Sequence, residues 1–257
     1  AAPLYIPSVF SQSINAPSIP FDNPQTVEGV SLGRKLFYDP ILSGNGLQSC
    51  SSCHKAKNSF TDEDQFSTGI TFEKGDRNSM AIFNAAWNWN GKFFWDGTAS
   101  SLEDQALGPV VNPIEMNNTW VNAVASLQAT SEYPNLFYQA FGTDQIDSFL
   151  VAKAIAQFER TLISAGSRFD QYSEGTLTLT TLEMYGLDLF MSEDGGDCFH
   201  CHGSPSNPLW TDNDFHNNGL DETFTDNGLG KVTGNPNDNG KFKTPSLRNL
   251  AYSAPYM

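Results

Sequence analysis

The sequence predicts a mainly α protein with long loops. Several segments carry apolar residues at helical spacing, and runs of alternating strand pattern are few. The stretches between them are rich in Gly, Asn, Asp and Pro. A short motif at 50–54 recurs at 198–202 and divides the chain in two.

Taken in order, "TVEGVSLGRKLFYD" predicts an amphipathic helix with Val27, Val30 and Leu36/Phe37 on one side. "DPILSGNG" breaks it at Pro40, Gly44 and Gly46. Residues 61–79 are polar and contain Gly, which predicts a loop. "SSLEDQAL" starts a short helix with Ser100 or Ser101 as N-cap. "NNTWVNAVASLQA" and "QIDSFLVAKAIAQFERTLIS" predict helices, the second with Phe149, Ile155, Phe158 and Leu162 facing a core. "TLTTLEMYGLDLFMSE" predicts another, ending in "DGGD" before the second motif. Residues 203–243 predict a long ordered loop. Apart from the doubled motif there is no fixed-period repeat.

The chain has 257 residues, enough for one large or two ordinary domains. Twenty-nine acidic against 14 basic residues give a net charge of −15. That argues against nucleic acid or an anionic membrane surface as partner, and suits a basic protein partner or simply an acidic surface. No apolar run approaches the roughly 20 residues of a membrane span. The start "AAPLYIP", without Met, suits a processed mature protein or a trimmed chain.

All four cysteines lie in two C-x-x-C-H motifs: Cys50, Cys53, His54 and Cys198, Cys201, His202. A covalent c-type haem needs two thiols that reach two vinyl groups, and a histidine that ligates the iron from the same side. C-x-x-C-H supplies both on one helical turn. Zinc could use the same thiolates, but needs no histidine after each pair, and the pairs lie far beyond finger or ribbon spacing. A thioredoxin-like redox pair would start a helix after a strand, and neither pair follows a β-branched run. The expectation is therefore two covalently bound c-type haems. Such haems are attached outside the cytoplasm, so the expected compartment is periplasmic or extracellular.

The blocks "LGRKLFYDPILSGNGLQSCSSCH", "FWDGTASSLEDQALGPVVNPIEM", "CFHCHGSP" and "GKFKTPSLRNLAYSAPYM" occur in this order. From about residue 24 onward the chain thereby closely resembles the bacterial dihaem cytochrome c peroxidase family, which includes MauG-like enzymes. The resemblance implies two cytochrome c-like domains, 24–164 with the peroxide-reacting haem and 165–257 with an electron-transfer haem, and residues 1–23 packing on the second. It implies His54 and His202 as iron ligands, and Trp95 of "FWDG" between the haems. Gln105 and Glu115 match the two polar residues of the distal pocket. Asn78, with the backbone of Ser253 and Pro255, matches the ligands of a calcium ion between the domains.

Read from its own surroundings, Glu115 is a solvated loop acid, the ordinary place for Glu. Only the resemblance makes it the carboxylate that moves a proton between the two peroxide oxygens. Gln105 reads equally as the polar face of a short helix, Trp95 as core packing in "WNWNGKFFW", and Asn78 as a turn residue. His200 and His216 read as loop or solvent-facing residues. Arg248 reads as a propionate partner or an ordinary surface pair.

Many dihaem peroxidases carry a histidine in the loop after the first motif, which caps the first iron until reduction. Here Ile70 falls at that place, and no histidine occurs between 55 and 199. Met80 and Lys74 are the other nearby candidates, and neither matches a ligand position. The expectation is a first haem open to peroxide without prior reduction. The family pattern also places an axial Met or Tyr for the second iron beyond Met257, with Met257 itself as a substitute.

These readings give a peroxidase that reduces hydrogen peroxide with electrons from a soluble donor, a small cytochrome c or a cupredoxin. A MauG-like enzyme oxidising Trp or Tyr of a partner protein is the alternative. A non-catalytic dihaem electron-transfer cytochrome is the alternative of another class. A homodimer is a family expectation.

Overall fold

Thr26 opens the first long helix by accepting the Gly29 N–H on its side chain at 2.9 Å. In the computed structural model, which describes residues 4–256, this helix is the second in the chain. The α-helices are α1 (Ser8–Ser11), α2 (Val27–Tyr38), α3 (Cys50–Cys53), α4 (Leu102–Val111), α5 (Trp120–Gln128), α6 (Tyr133–Phe141), α7 (Ser148–Glu159), α8 (Arg168–Ser173), α9 (Thr181–Met191), α10 (Phe199–His202) and α11 (Leu229–Thr233). β1 (Phe215–His216) and β2 (Phe242–Lys243) form an antiparallel pair that registers Phe215 with Lys243. The predicted mainly α class with little sheet is what the chain adopts. The 203–243 segment nevertheless holds β1, α11 and β2, so His216 lies in a strand.

The main core lies where α2 and α4 pack on α7, with α5 and α6 closing it. Leu32, Leu36 and Phe37 of α2 are fully buried, each worth roughly 1.5–3 kcal/mol of apolar transfer. The predicted face of α2 is rotated: Val27 is 61% exposed and Val30 half-buried. The face that turns inward includes Gly29 and Gly33. A Cβ on Gly33 would lie 1.8 Å from the Ala154 carbonyl oxygen, and one on Gly29 would lie 2.1 Å from Gln157 Oε1. Two missing side chains, not two valines, let α2 close on α7.

On α7, Ile155 and Phe158 face the core as predicted, but Phe149 is 66% exposed. It sits in the first turn, just after the Asp147 cap, and Val151, Ala152 and Ala154 take the inner positions. Ser101 is the N-cap of α4, accepting from the Asp104 N–H at 3.0 Å. Helix α6 escaped prediction. It begins with Pro134 in its first turn and ends at Gly142 with φ +76, both ordinary boundary signals.

A second, smaller core gathers Val9 and Phe10 of α1 against Trp87 and Leu209. The Phe10 and Trp87 rings meet edge to face at 4.9 Å. Beside them Arg248 is buried. It forks onto both oxygens of Asp170 in α8, at 2.8 and 2.6 Å, and lies over the Phe10 ring. Arg248 is thus neither a surface pair nor free to meet a propionate. Among the described residues, no helix is long and apolar enough to cross a membrane.

Candidate active site

The quoted motif folds as the single turn α3. The Ser49 N–H is held by Ser52 Oγ at 3.0 Å, and the His54 N–H continues the turn to the Cys50 carbonyl at 2.9 Å. One turn therefore carries Cys50, Cys53 and His54 toward the same side. His54 Nδ1 bonds the Phe60 carbonyl at 3.0 Å. Phe60 and its neighbour Ser59 both have φ of +59, the left-handed region that side chains disfavour. That strained turn aims the carbonyl at the ring and sets its orientation through Nδ1. Burial lowers the His54 pKa against the opposing pull of the Phe60 and Met80 backbone bonds and the Asp62 charge, which favours the neutral ring a metal needs.

The second motif repeats the device. The His202 N–H bonds the Cys198 carbonyl at 3.1 Å, and His202 Nδ1 lies 3.3 Å from the Trp210 carbonyl. Trp210 has φ +53. In each half an aromatic residue in left-handed conformation, a few positions past the motif, orients the histidine. Nothing in residue spacing advertises this repeat. His200 is exposed and pairs with Asp197, while His216 pairs with Asp212.

Cys50, Cys53 and His54 line one wall of a cavity of about 490 Å³. Asn78, Trp95, Gln105 and Glu115 line the same cavity. Its size is within the range of about 300–1,000 Å³ usual for ligand sites. Thiols and an oriented imidazole on one side of a largely apolar hollow are the donors a covalent haem requires, so the residues fit that group. Among the described residues, no three His, Cys, Asp or Glu side chains meet in a way that could hold a metal ion. Cys198, Cys201 and His202 do not line this cavity, nor do Ser253 and Pro255 near the C-terminus. Met257 lies outside the described residues.

Glu115 sits on the turn after α4. Asn112 donates its Nδ2 to Glu115 Oε1 at 2.6 Å, and the Glu115 N–H bonds the Asn112 carbonyl at 3.1 Å. Burial raises the Glu115 pKa, and the Asn112 bond only partly offsets it. A solvated loop acid would show neither feature. Sequence reasoning missed Asn112, although its spacing of three from Glu115 across Pro113 was a usable signal. It also missed Gln48, whose Nε2 reaches Cys53 Sγ at 3.4 Å.

Residues 67–75 fold back on themselves, with Gly75 N–H on the Ser67 carbonyl at 3.0 Å. Ile70, the residue in place of the capping histidine, bonds through its N–H to the Glu115 carbonyl at 2.9 Å. Gly69 makes this contact feasible, since a Cβ there would lie 1.6 Å from the Ile114 carbonyl oxygen. Backbone against backbone cannot give way. Gly69→Ala is expected to destabilise the protein by about 1–3 kcal/mol. Urea denaturation should show a lower midpoint, and proteolysis should cut faster within 67–75.

Met80 lines the cavity, whereas Lys74 does not. Trp95 donates its indole N–H to the Asn78 carbonyl at 2.8 Å and accepts the Lys243 N–H on its own carbonyl at 2.9 Å. It ties the 78 loop to β2.

The family profile described as "Di-haem cytochrome c peroxidase" matches residues 27–178. Cytochrome c551 peroxidase of Nitrosomonas europaea is 36% identical over 238 residues, covering 91% of this chain and 69% of that protein. Methylamine utilization protein MauG of Methylophilus methylotrophus is 33% identical over 241 residues, covering 93% and 70%. A crystal structure of a MauG-like protein associated with microbial copper homeostasis superposes with a TM-score of 0.89. It is 37% identical, with 100% of this chain and 78% of that one covered. Motifs, cavity and likeness over most of the length agree: the chain belongs to the di-haem cytochrome c peroxidase family.

Proposed function

We propose that this protein is a periplasmic dihaem peroxidase that reduces hydrogen peroxide to two waters, consuming two electrons and two protons. The observation that carries the reading is a single cavity lined by both a C-x-x-C-H turn and a desolvated carboxyl, Glu115. Cys50 and Cys53 would anchor the first haem and His54 would hold its iron; the haem supplies the redox chemistry of O–O cleavage. Glu115 takes the proton from the inner peroxide oxygen and returns it to the outer one, which leaves as water. Asn112 engages Oε1 and so leaves Oε2 as the proton carrier. Gln105 orients peroxide by hydrogen bonding from α4.

Residues 24–164 and 165–257 form the two cytochrome c-like domains in this reading, with residues 1–23 bridging onto the second. Cys198, Cys201 and His202 would hold the second haem, which would supply the entry point for single electrons from a small cytochrome c or cupredoxin. Trp95 relays them. Supporting that role, its main chain and indole are bonded to both the 78 loop and β2. A calcium ion would use Asn78 with the Ser253 and Pro255 carbonyls. The Asn78 amide nitrogen is engaged by the Asp64 and Gln65 carbonyls, which leaves Oδ1 for the cation. A homodimer is the expected assembly.

The residue at 70 favours a second reading as well. Loop 67–75 brings no histidine, and its backbone is committed to Glu115. Peroxide would then react without prior reduction, as a MauG-like oxidation of Trp or Tyr on a partner protein also requires. EPR of the oxidised protein is expected to show a high-spin ferric signal from the first haem. Two low-spin signals with protein axial ligands would contradict the open site and favour a plain electron-transfer cytochrome. Stopped-flow mixing with peroxide tests the activity: a fast Soret change is expected in the oxidised protein. Steady-state turnover with a reduced cytochrome separates peroxidase from partner oxidation.

A further inference from the structure

Lys243 is 8% exposed and lines the cavity, yet among the described residues no carboxylate pairs with it. Its Nζ donates to the Lys92 carbonyl at 3.0 Å and lies 5.3 Å from the Phe93 ring centre. These are weak compensation for a buried ammonium, which loses several kcal/mol of hydration. Burial alone pushes its pKa down to about 8, so the group is still mostly cationic at neutral pH. A fold seldom keeps such a charge without an anion to meet it.

The cavity's other strong cation is not free to serve. Arg77 spends Nε and Nη2 on Asp226, at 2.7 and 2.9 Å, and Nη1 on Asp96 at 2.6 Å. A porphyrin carries its two propionates away from the vinyl groups that the cysteines capture. Cys50 and Cys53 come from α3, whereas Lys243 comes from β2, whose main chain is bonded to Trp95. We propose that Lys243 is the positioning residue whose buried ammonium pairs with a propionate of the haem anchored at Cys50 and Cys53. The pairing places that haem's charged edge beside the Trp95 segment and raises its reduction potential. The inference rests on a haem filling this cavity.

The holoprotein variants Lys243→Met and Lys243→Arg test it. Lys243→Met should lower the midpoint potential of the first haem in a spectroelectrochemical titration, because an uncompensated propionate favours the ferric state. Its propionate bending mode in resonance Raman spectra should move to lower frequency. Lys243→Arg should largely restore both. A Lys243→Met protein with two haems, an unmoved potential and an unmoved mode would overturn the assignment. The wild-type protein gives a second measure that needs no variant: the mode should shift in D2O, since the donor exchanges. No shift would overturn the assignment even if both variants failed to take up haem. A purified protein without a c-type haemochrome spectrum would instead remove the haem reading itself.

Discussion

Glu115→Gln is expected to slow the reaction of the oxidised protein with peroxide by about 10²–10⁴-fold, the range of a lost general acid–base group. Gln keeps the size of the side chain and a hydrogen-bonding oxygen for Asn112, so the loss reads proton transfer and not packing. Rapid mixing followed at the Soret band measures it. The pH dependence carries a second signature. Glu115 must be ionised to take the first proton, and burial raises its pKa. The wild-type rate should therefore fall on acidification along a limb above the ordinary Glu value of about 4.3. That limb should vanish in Glu115→Gln. An unchanged rate in the variant would remove Glu115 from the mechanism.

Arg248→Met is expected to destabilise the protein by about 3–5 kcal/mol, because it strands a buried carboxylate. Asp170 is 1% exposed, and both of its oxygens take an Arg248 N–H. Ser167 alone would remain, through its N–H and hydroxyl. Denaturant titration checks the size, and adding Asp170→Asn should recover part of the loss by removing the stranded charge. The sign with pH follows from the direction of the shift. Burial pushes the Asp170 carboxyl up, but the bonds from Arg248 and Ser167 outweigh it and hold the pKa below the usual range. The stabilisation is thus full above the unfolded value of about 3.9 and is lost as pH falls through the lower folded value. In Arg248→Met this acid-linked loss should shrink.

The two experiments probe links that differed in legibility. The mainly α class and most long helices could be read from periodicity, because each helix must bury one stripe. Faces were harder. Val27 and Phe149 looked inward by hydrophobicity, yet Gly29 and Gly33 set the side that meets α7, since backbone approach outweighs one apolar side chain. Arg248 looked like a surface or propionate cation. Its partner is 78 residues away in sequence, so no local pattern could name it.

The sequence by itself determined the chemistry that residue identity can carry: two C-x-x-C-H turns, the family, and no histidine between 55 and 199. Only the tertiary structure decided environment. It half-buried Glu115 beside Asn112, turned the Phe60 and Trp210 carbonyls onto the two histidines, and, among the described residues, left Lys243 without a carboxylate. Burial and pairing depend on segments far apart in the chain, and the free energy of a charge depends on what surrounds it, not on what precedes it.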